Sequence, residues 1–163
     1  MTGPRRQQKR ARAAVLMALL AWGGISAPWT PAAGAPLQVN AQTGLAISGF
    51  DPVAYFTDHK ANLGRPDLEL SVNGAVWRFG NWANRAAFKA HPEVYTPRFG
   101  GFDPVAIARG ASVPGHPQVW AVVSERLYLF YDESARAAFM ADPGRAVAAA
   151  ERRWPEVARI AVP

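Results

Sequence analysis

Alternation of apolar and polar residues predicts a first β-hairpin in this chain. Apolar side chains recur at every second position over 68–72, and an apolar-rich stretch follows at 76–79. Asn73-Gly74 lies between them and is typical of a two-residue hairpin turn. The polar, glycine- and proline-containing segment 57–67 is predicted to be a loop. This part of the chain therefore predicts a loop followed by two antiparallel strands.

Short polar residues mark the starts of two predicted helices around this hairpin. Asn81 is expected to cap a helix over 82–90, because its amide oxygen can accept from free N–H groups of the first turn. Before the hairpin, Asp51 suits a helix cap and Pro52 suits a first helical position. We therefore predict one short helical turn over 51–56, with an edge strand as the alternative.

Two phrases of the sequence occur twice. Gly-Phe-Asp-Pro-Val-Ala occupies 49–54 and again 101–106, an offset of 52, and Arg-Ala-Ala-Phe occupies 85–88 and again 136–139, an offset of 51. Two phrases repeated at nearly one offset indicate an internal duplication. The predicted halves are 49–98 and 101–150.

The second half repeats the predicted order of elements. Stretches rich in β-branched and aromatic residues at 119–123 and 127–131 predict a second hairpin. Asp132 stands where Asn81 stood and is expected to cap the following helix. A further helix over 144–154 is predicted to be interrupted at Pro155.

The duplication also predicts the fold class. An isolated hairpin is only marginally stable, so the two halves are expected to pack together, with approximate two-fold symmetry. The result would be a single α+β domain over 45–163, an antiparallel sheet from two hairpins with helices packed on one side. Its core is expected to contain four aromatic residues at matching places: Trp77, Phe88, Tyr128 and Phe139.

The N-terminal 27 residues have the composition of a secretory signal. Residues 1–12 carry five basic side chains and no acidic one, and 13–27 are apolar. This apolar run is shorter than the roughly 18 residues of a membrane span. We therefore predict a signal peptide over 1–27, a periplasmic or secreted protein, and no stable membrane span after cleavage.

The sequence indicates the cleavage site and the export route of this signal less specifically. Small residues fit a cleavage site at several places between 27 and 42, and the Pro-, Ala- and Gly-containing segment 28–44 is expected to be a flexible lead-in. Arg5-Arg6 resembles a twin-arginine signal, but polar residues follow it. The general secretory route is therefore favoured.

Charge and cysteine content exclude several functions. The chain has 18 Lys and Arg against 12 Asp and Glu, but removal of the predicted signal leaves 13 basic residues against 12 acidic ones. No basic surface for a nucleic acid remains in that count. There is no cysteine, which excludes disulfides, thiolate metal sites and cysteine nucleophiles.

Four phrases in series resemble the exported bacterial YHS domain-containing proteins. They lie at 48–56, 73–79, 84–88 and 91–102, and the resemblance extends over about 45–154. It implies a small α+β domain related to metal-binding treble-clef-like modules. Such domains are suspected of handling copper or other heavy metals, with no settled reaction.

The sequence departs from this family at one position. Many of these relatives carry cysteine, and some selenocysteine, after the Gly-Gly-aromatic phrase, where this chain has Asp103. A carboxylate is a hard, redox-inert ligand, whereas a thiolate is a soft and redox-active one. The thiol or soft-metal role implied by the resemblance therefore does not transfer to Asp103.

Two sets of polar residues are candidates for chemistry. Asp51 and Asp103 are related by the repeat, and a facing pair could bind a divalent cation or act as acid and base. The alternative is that both simply cap helical turns. His59, His91 and His116 could be metal ligands or exposed loop residues.

Hydrolysis and the binding of an apolar ligand are two further hypotheses. The serines lack the context of a nucleophile elbow, which disfavours a hydrolase. An aromatic pocket near the first Asp-Pro turn is possible, and core packing explains the same residues equally well. The aromatic candidates are Tyr55, Phe56, Trp82, Tyr95, Phe99 and Phe102.

We therefore predict an exported small-ligand-binding or accessory module of the YHS type, without catalytic residues. Its expected ligand-binding residues are Asp51, Tyr55, Phe102 and Asp103. The alternative is a carboxylate-pair enzyme or divalent-metal-binding protein that uses Asp51 and Asp103. The ligand, any metal or cofactor and the partner protein stay open.

Overall fold

The computed structural model describes residues 36–161, so the predicted signal peptide lies outside the described residues. The first half contains α1 (Ala54–Thr57), β1 (Arg65–Val72), β2 (Ala75–Phe79), α2 (Trp82–Ala90) and α3 (Pro92–Tyr95). The second half contains α4 (Pro104–Ala108), β3 (His116–Val123), β4 (Arg126–Phe130), α5 (Glu133–Ala141) and α6 (Pro143–Ile160). The predicted α+β class is confirmed.

The two hairpins form two separate two-stranded antiparallel sheets, β1-β2 and β3-β4, in place of one continuous sheet. Each has a two-residue turn whose residues adopt positive φ, at Asn73 and Gly74 (53° and 79°) and at Ser124 and Glu125 (49° and 57°). Such turns match the twist of the strands they join. Each first strand also begins earlier than predicted, beyond an irregularity in pairing at 65–69 and at 116–120.

Aromatic pairs repeat between the halves and confirm the predicted core residues. Phe88 of α2 packs on Trp77 with ring centroids 4.7 Å apart and planes tilted by 39°. In the second half, Phe139 of α5 packs on Tyr128 at 4.9 Å and 41°. All four residues are buried. The duplication seen in the sequence therefore corresponds to a duplicated packing arrangement.

Strand β4 contributes side chains to both hydrophobic clusters found within 36–161. Leu127 and Leu129 belong to the cluster that contains Trp77 and Phe88 of the first half. Tyr128 and Phe130 belong to the cluster of the second half. Because alternate residues of a strand point to opposite faces, β4 lies between the two clusters. The uninterrupted apolar run at 127–130 is typical of a strand buried on both faces.

Helix α6 continues through Pro155, which corrects the predicted interruption there. Proline removes one helical hydrogen bond, but Pro155 is exposed, so the carbonyl group that loses its partner lies on the solvent side. On either side of it, Trp154 packs on Phe99 with centroids 5.5 Å apart and Val157 is buried. Packing against the core therefore holds both parts of the helix in line.

The described part of the predicted lead-in, 36–44, is bound to the domain. The backbone N–H of Gln38 donates to the carbonyl oxygen of Gly100 at 2.8 Å, and Val39 pairs with Ala46. Leu37 packs against the first cluster. Within 36–161, no helix combines the length and the apolar character that crossing a membrane requires.

Candidate functional site

Asp51 is 1% exposed, and both of its carboxylate oxygens accept hydrogen bonds. Oδ1 accepts from the backbone N–H groups of Val53 (2.9 Å) and Ala54 (3.4 Å) at the start of α1. Oδ2 accepts from the N–H of Gly80 (2.7 Å) and from Nδ2 of Asn84 (2.6 Å). Asp51 therefore caps one helical turn and also ties it to the end of β2 and to α2.

Asp103 has the equivalent place in the second half and is 2% exposed. Its Oδ1 accepts from the N–H groups of Val105 (2.7 Å) and Ala106 (3.3 Å), and its Oδ2 accepts from the N–H of Tyr131 (2.9 Å). The capping interactions expected of both aspartates are therefore present. All hydrogen bonds found for each carboxylate within 36–161 stay in its own half, and convergence of the two on one ligand stays a prediction.

Tyr55 and Phe102 lie in different hydrophobic clusters. Tyr55 is fully buried in the first cluster, where its hydroxyl donates to the carbonyl oxygen of Pro117 at 2.8 Å. Burial and then the nearby charge of Asp51 raise the pKa of Tyr55 well above its usual range. Phe102 is buried in the second cluster, with its ring centroid 6.2 Å from that of Trp154.

The remaining aromatic candidates are divided in the same way. Phe56 and Tyr95 form an edge-to-face pair, with centroids 5.4 Å apart, beside the first cluster. Phe99 belongs to the second cluster, and Trp82 is 69% exposed. The structure places these side chains in two cores and on the surface instead of around one pocket.

His91 and His116 lie in separate polar settings, and His59 is exposed. Nδ1 of His91 is 3.4 Å from a carboxylate oxygen of Glu93, and Nδ1 of His116 accepts from the N–H of Gln118 at 3.2 Å. In the part of the chain that the structure describes, no group of three or more His, Cys, Asp or Glu residues is arranged to hold a metal ion.

A cleft of about 490 Å³ opens beside Asp103. Val105, Val113 and Ala138 give it apolar surface, and polar groups from α4, α5 and the end of β4 complete its lining. The polar or mixed residues of the lining are Asp103, Arg109, Tyr131, Asp132 and Ser134.

Asp132 is an exposed charged residue of this cleft whose carboxylate is held by local hydrogen bonds. Its Oδ1 accepts from the N–H of Ala135 (2.8 Å) and from the hydroxyl of Ser134 (2.7 Å). These hydrogen bonds, that of Ala135 first, lower the pKa of the Asp132 carboxyl. The cleft therefore has a carboxylate at its rim and a second one, that of Asp103, in its wall.

A smaller cavity of about 360 Å³ lies between the halves, and Tyr131 lines both cavities. Ser48, Phe50 and His116 are among its other lining residues. Of the four predicted ligand-binding residues, Asp103 lines the larger cleft, and Asp51, Tyr55 and Phe102 are core or capping residues that are absent from the lining of either cavity.

The sequence did not predict that the cleft is lined by Arg109, Tyr131, Asp132 and Ala135. A comparison of the two halves position by position would have pointed to one of them, because Ala135 stands where the first half has Asn84.

Comparison of the chain with known protein families, with curated proteins and with solved structures finds no match.

Proposed function

We propose that this protein is an exported module that binds a small ligand in the cleft beside Asp103 and performs no chemistry on it. The observation that carries the proposal is the cleft itself, whose volume of about 490 Å³ lies within the roughly 300–1,000 Å³ of small-molecule sites. Its combination of apolar surface with a few polar groups is also typical of such sites.

The contacts of the aspartates support binding over catalysis. A general base must have an oxygen free to take a proton from the substrate. Both oxygens of Asp51 are already engaged by four N–H donors, which leaves neither free for this role. In Asp103, two N–H groups engage Oδ1 and one engages Oδ2. Protonation of either residue would weaken the cap that holds its helical turn, so a structural and binding role fits these side chains better.

The basic and apolar composition of residues 1–27 supports export, as does the resemblance of 45–154 to exported YHS domain-containing proteins. An exported accessory module of this kind would hold its ligand for a partner protein or carry it across the compartment.

The test is a fragment screen by NMR on ¹⁵N-labelled protein purified from cells that express the full chain. We expect a subset of fragments to shift the backbone amide signals of Tyr131 and Ala135, two residues of the cleft. The matched control signals are those of Gly80 and Asn84, which hold the same places in the first half. Fragments that leave Tyr131 and Ala135 unshifted throughout would contradict the proposal.

A further inference from the structure

In both halves, the Oδ2 atom of the repeated aspartate (Asp51 or Asp103) accepts a backbone hydrogen bond in nearly the same geometry. Oδ2 accepts a backbone hydrogen bond from Gly80 at 2.7 Å in the first half and from Tyr131 at 2.9 Å in the second. The next helix is capped identically, since Asn81 accepts from the N–H of Asn84 at 2.8 Å and Asp132 accepts from the N–H of Ala135 at 2.8 Å. Residues 84 and 135 therefore stand in the same place relative to their aspartates.

The side chains at these two places differ. Asn84 donates its carboxamide N–H to Oδ2 of Asp51 at 2.6 Å, so that oxygen accepts two hydrogen bonds. Ala135 has no donor, and Oδ2 of Asp103 accepts one hydrogen bond among the described residues, that of Tyr131. A carboxylate oxygen accepts two. The second half therefore lacks one donor that the first half supplies internally.

The space left by the missing carboxamide belongs to the cleft. Both Asp103 and Ala135 line it, and Asp103 is 2% exposed. A carboxylate that is removed from water and has an open acceptor position gains more from a new hydrogen bond than one exposed to water. A ligand group that brings an N–H donor into the cleft would therefore occupy the space beside Ala135 and donate to the open acceptor position of Asp103.

We infer that the cleft takes a ligand with a terminal nitrogen donor group (a primary amide, amidinium or ammonium) that donates to Oδ2 of Asp103 where Asn84 donates to Asp51. The apolar part of the ligand lies against Val105 and Val113, which line the same cleft. This inference rests on the proposed function and names the class of ligand for that site.

The charged residues of the cleft predict which nitrogen-donor ligands bind more tightly. Asp132 adds a carboxylate at the rim, and Arg109 is an exposed cation on the lining. A cationic donor makes a charge-assisted hydrogen bond to Asp103, which is stronger than that of a neutral amide. A carboxylate of the same shape places an acceptor against an acceptor and is rejected.

Benzamidine, benzamide and benzoate test this order, because they share a ring and differ in the terminal group. Each is titrated into the ¹⁵N-labelled protein while the amide signals of Tyr131 and Ala135 are followed. We expect benzamidine to bind most tightly, benzamide more weakly, and benzoate to leave these signals unshifted. Benzoate binding as tightly as benzamide in the cleft would overturn the inference.

Ala135→Asn is the decisive variant, because it supplies the internal donor of the first half. We expect it to weaken benzamidine binding by at least about tenfold, through loss of the acceptor and of the space. Ala137→Asn makes the same replacement at an exposed position of α5 outside the cleft lining and is expected to bind as the unchanged protein does. If Ala135→Asn binds benzamidine as tightly as the unchanged protein does, and its cleft amide signals still shift, the assignment of the ligand's hydrogen bond to Asp103 is wrong.

The two proposals fail in different ways. If no fragment and none of the three probes shifts the cleft signals, the cleft is not a binding site and both proposals are wrong. If probes bind in the cleft without regard to the donor group or to residue 135, small-ligand binding stands and the nitrogen-donor class is wrong.

Discussion

The hydroxyl of Tyr55 donates a 2.8 Å hydrogen bond to the carbonyl oxygen of Pro117, 62 residues further along the chain. The ring of Tyr55 also meets that of Trp120 edge-to-face, with centroids 5.1 Å apart. Tyr55 belongs to α1 and Pro117 to β3, so this side chain connects the two halves of the duplication.

Tyr55→Phe should lower the free energy of unfolding by about 1–3 kcal/mol, because a buried carbonyl oxygen loses its donor. Urea unfolding measured by circular dichroism checks this value. The control is Tyr131→Phe, which removes the hydroxyl of a residue that is 63% exposed and should change stability by no more than about 0.5 kcal/mol. Equal effects of the two substitutions would show that the bond to Pro117 contributes nothing.

Stability should also fall at alkaline pH. Burial raises the pKa of Tyr55 in the folded protein, so the folded state holds its proton after the unfolded state has begun to lose it. The stabilising contribution is complete below about pH 10, the usual tyrosine pKa, and is lost as the pH rises from there toward the raised pKa of the folded state. Unfolding free energies measured from neutral to strongly alkaline pH should show this decline.

Tyr55→Phe should make the alkaline decline shallower without abolishing it. Burial also raises the pKa of Tyr128, which therefore contributes a slope in the same direction. If the variant and the unchanged protein lose stability in parallel above about pH 10, the ionisation of Tyr55 is not the cause.

Opposite substitutions at residues 84 and 135 should change stability in opposite directions. Asn84→Ala leaves Asp51 without its carboxamide donor and should cost about 1–3 kcal/mol. Ala135→Asn adds the equivalent donor to Asp103 and should stabilise the protein by about 0.5–1 kcal/mol, despite the lower helix propensity of asparagine. Thermal unfolding followed by calorimetry measures both, and Ala137→Asn gives the propensity cost alone. A loss of stability in Ala135→Asn equal to that control would mean that its amide does not reach Asp103.

Gly64 and Gly115 should resist replacement by alanine for one shared reason. A Cβ at Gly115 would lie 2.6 Å from Cβ of Leu129 and 2.7 Å from the carbonyl oxygen of Gly101, and one at Gly64 would overlap the backbone of Arg78. Gly144 of α6 has ordinary space around it. We expect Gly64→Ala and Gly115→Ala to destabilise by about 2 kcal/mol or more, and Gly144→Ala to stabilise by about 0.5–1 kcal/mol. Chemical denaturation checks all three, and mild effects at 64 and 115 would contradict this packing.

Much of the fold could be predicted because its signals are local. The Asn73-Gly74 turn, the caps at Asn81 and Asp132 and the aromatic residues at matching places each depend on a few neighbouring residues, and the repeat reinforced them. The separation of the two sheets could not be predicted in this way. The separation depends on which side chains pack against β4 from distant parts of the chain. Residues 127–130 of β4 are buried on both faces, and β2, which contains Arg78, is not.

The site was predicted less well for a similar physical reason. Asp103 was identified from the repeated phrase, but its surroundings differ from those of Asp51 at residue 135, where alanine lines the cleft and the first half has Asn84, 33 residues after Asp51. A contact between residues so far apart has no local pattern. Tyr55 and Phe102 were chosen for their aromatic rings, and the same rings satisfy core packing.

Strand β4 supplies leucines to the core of the first half and aromatic residues to the core of the second. Neither half can therefore be deleted without exposing apolar side chains of the other. Leu127→Ala would open a cavity in the first half through a change made in the second. This sharing couples the two halves energetically, so they should melt in a single cooperative transition.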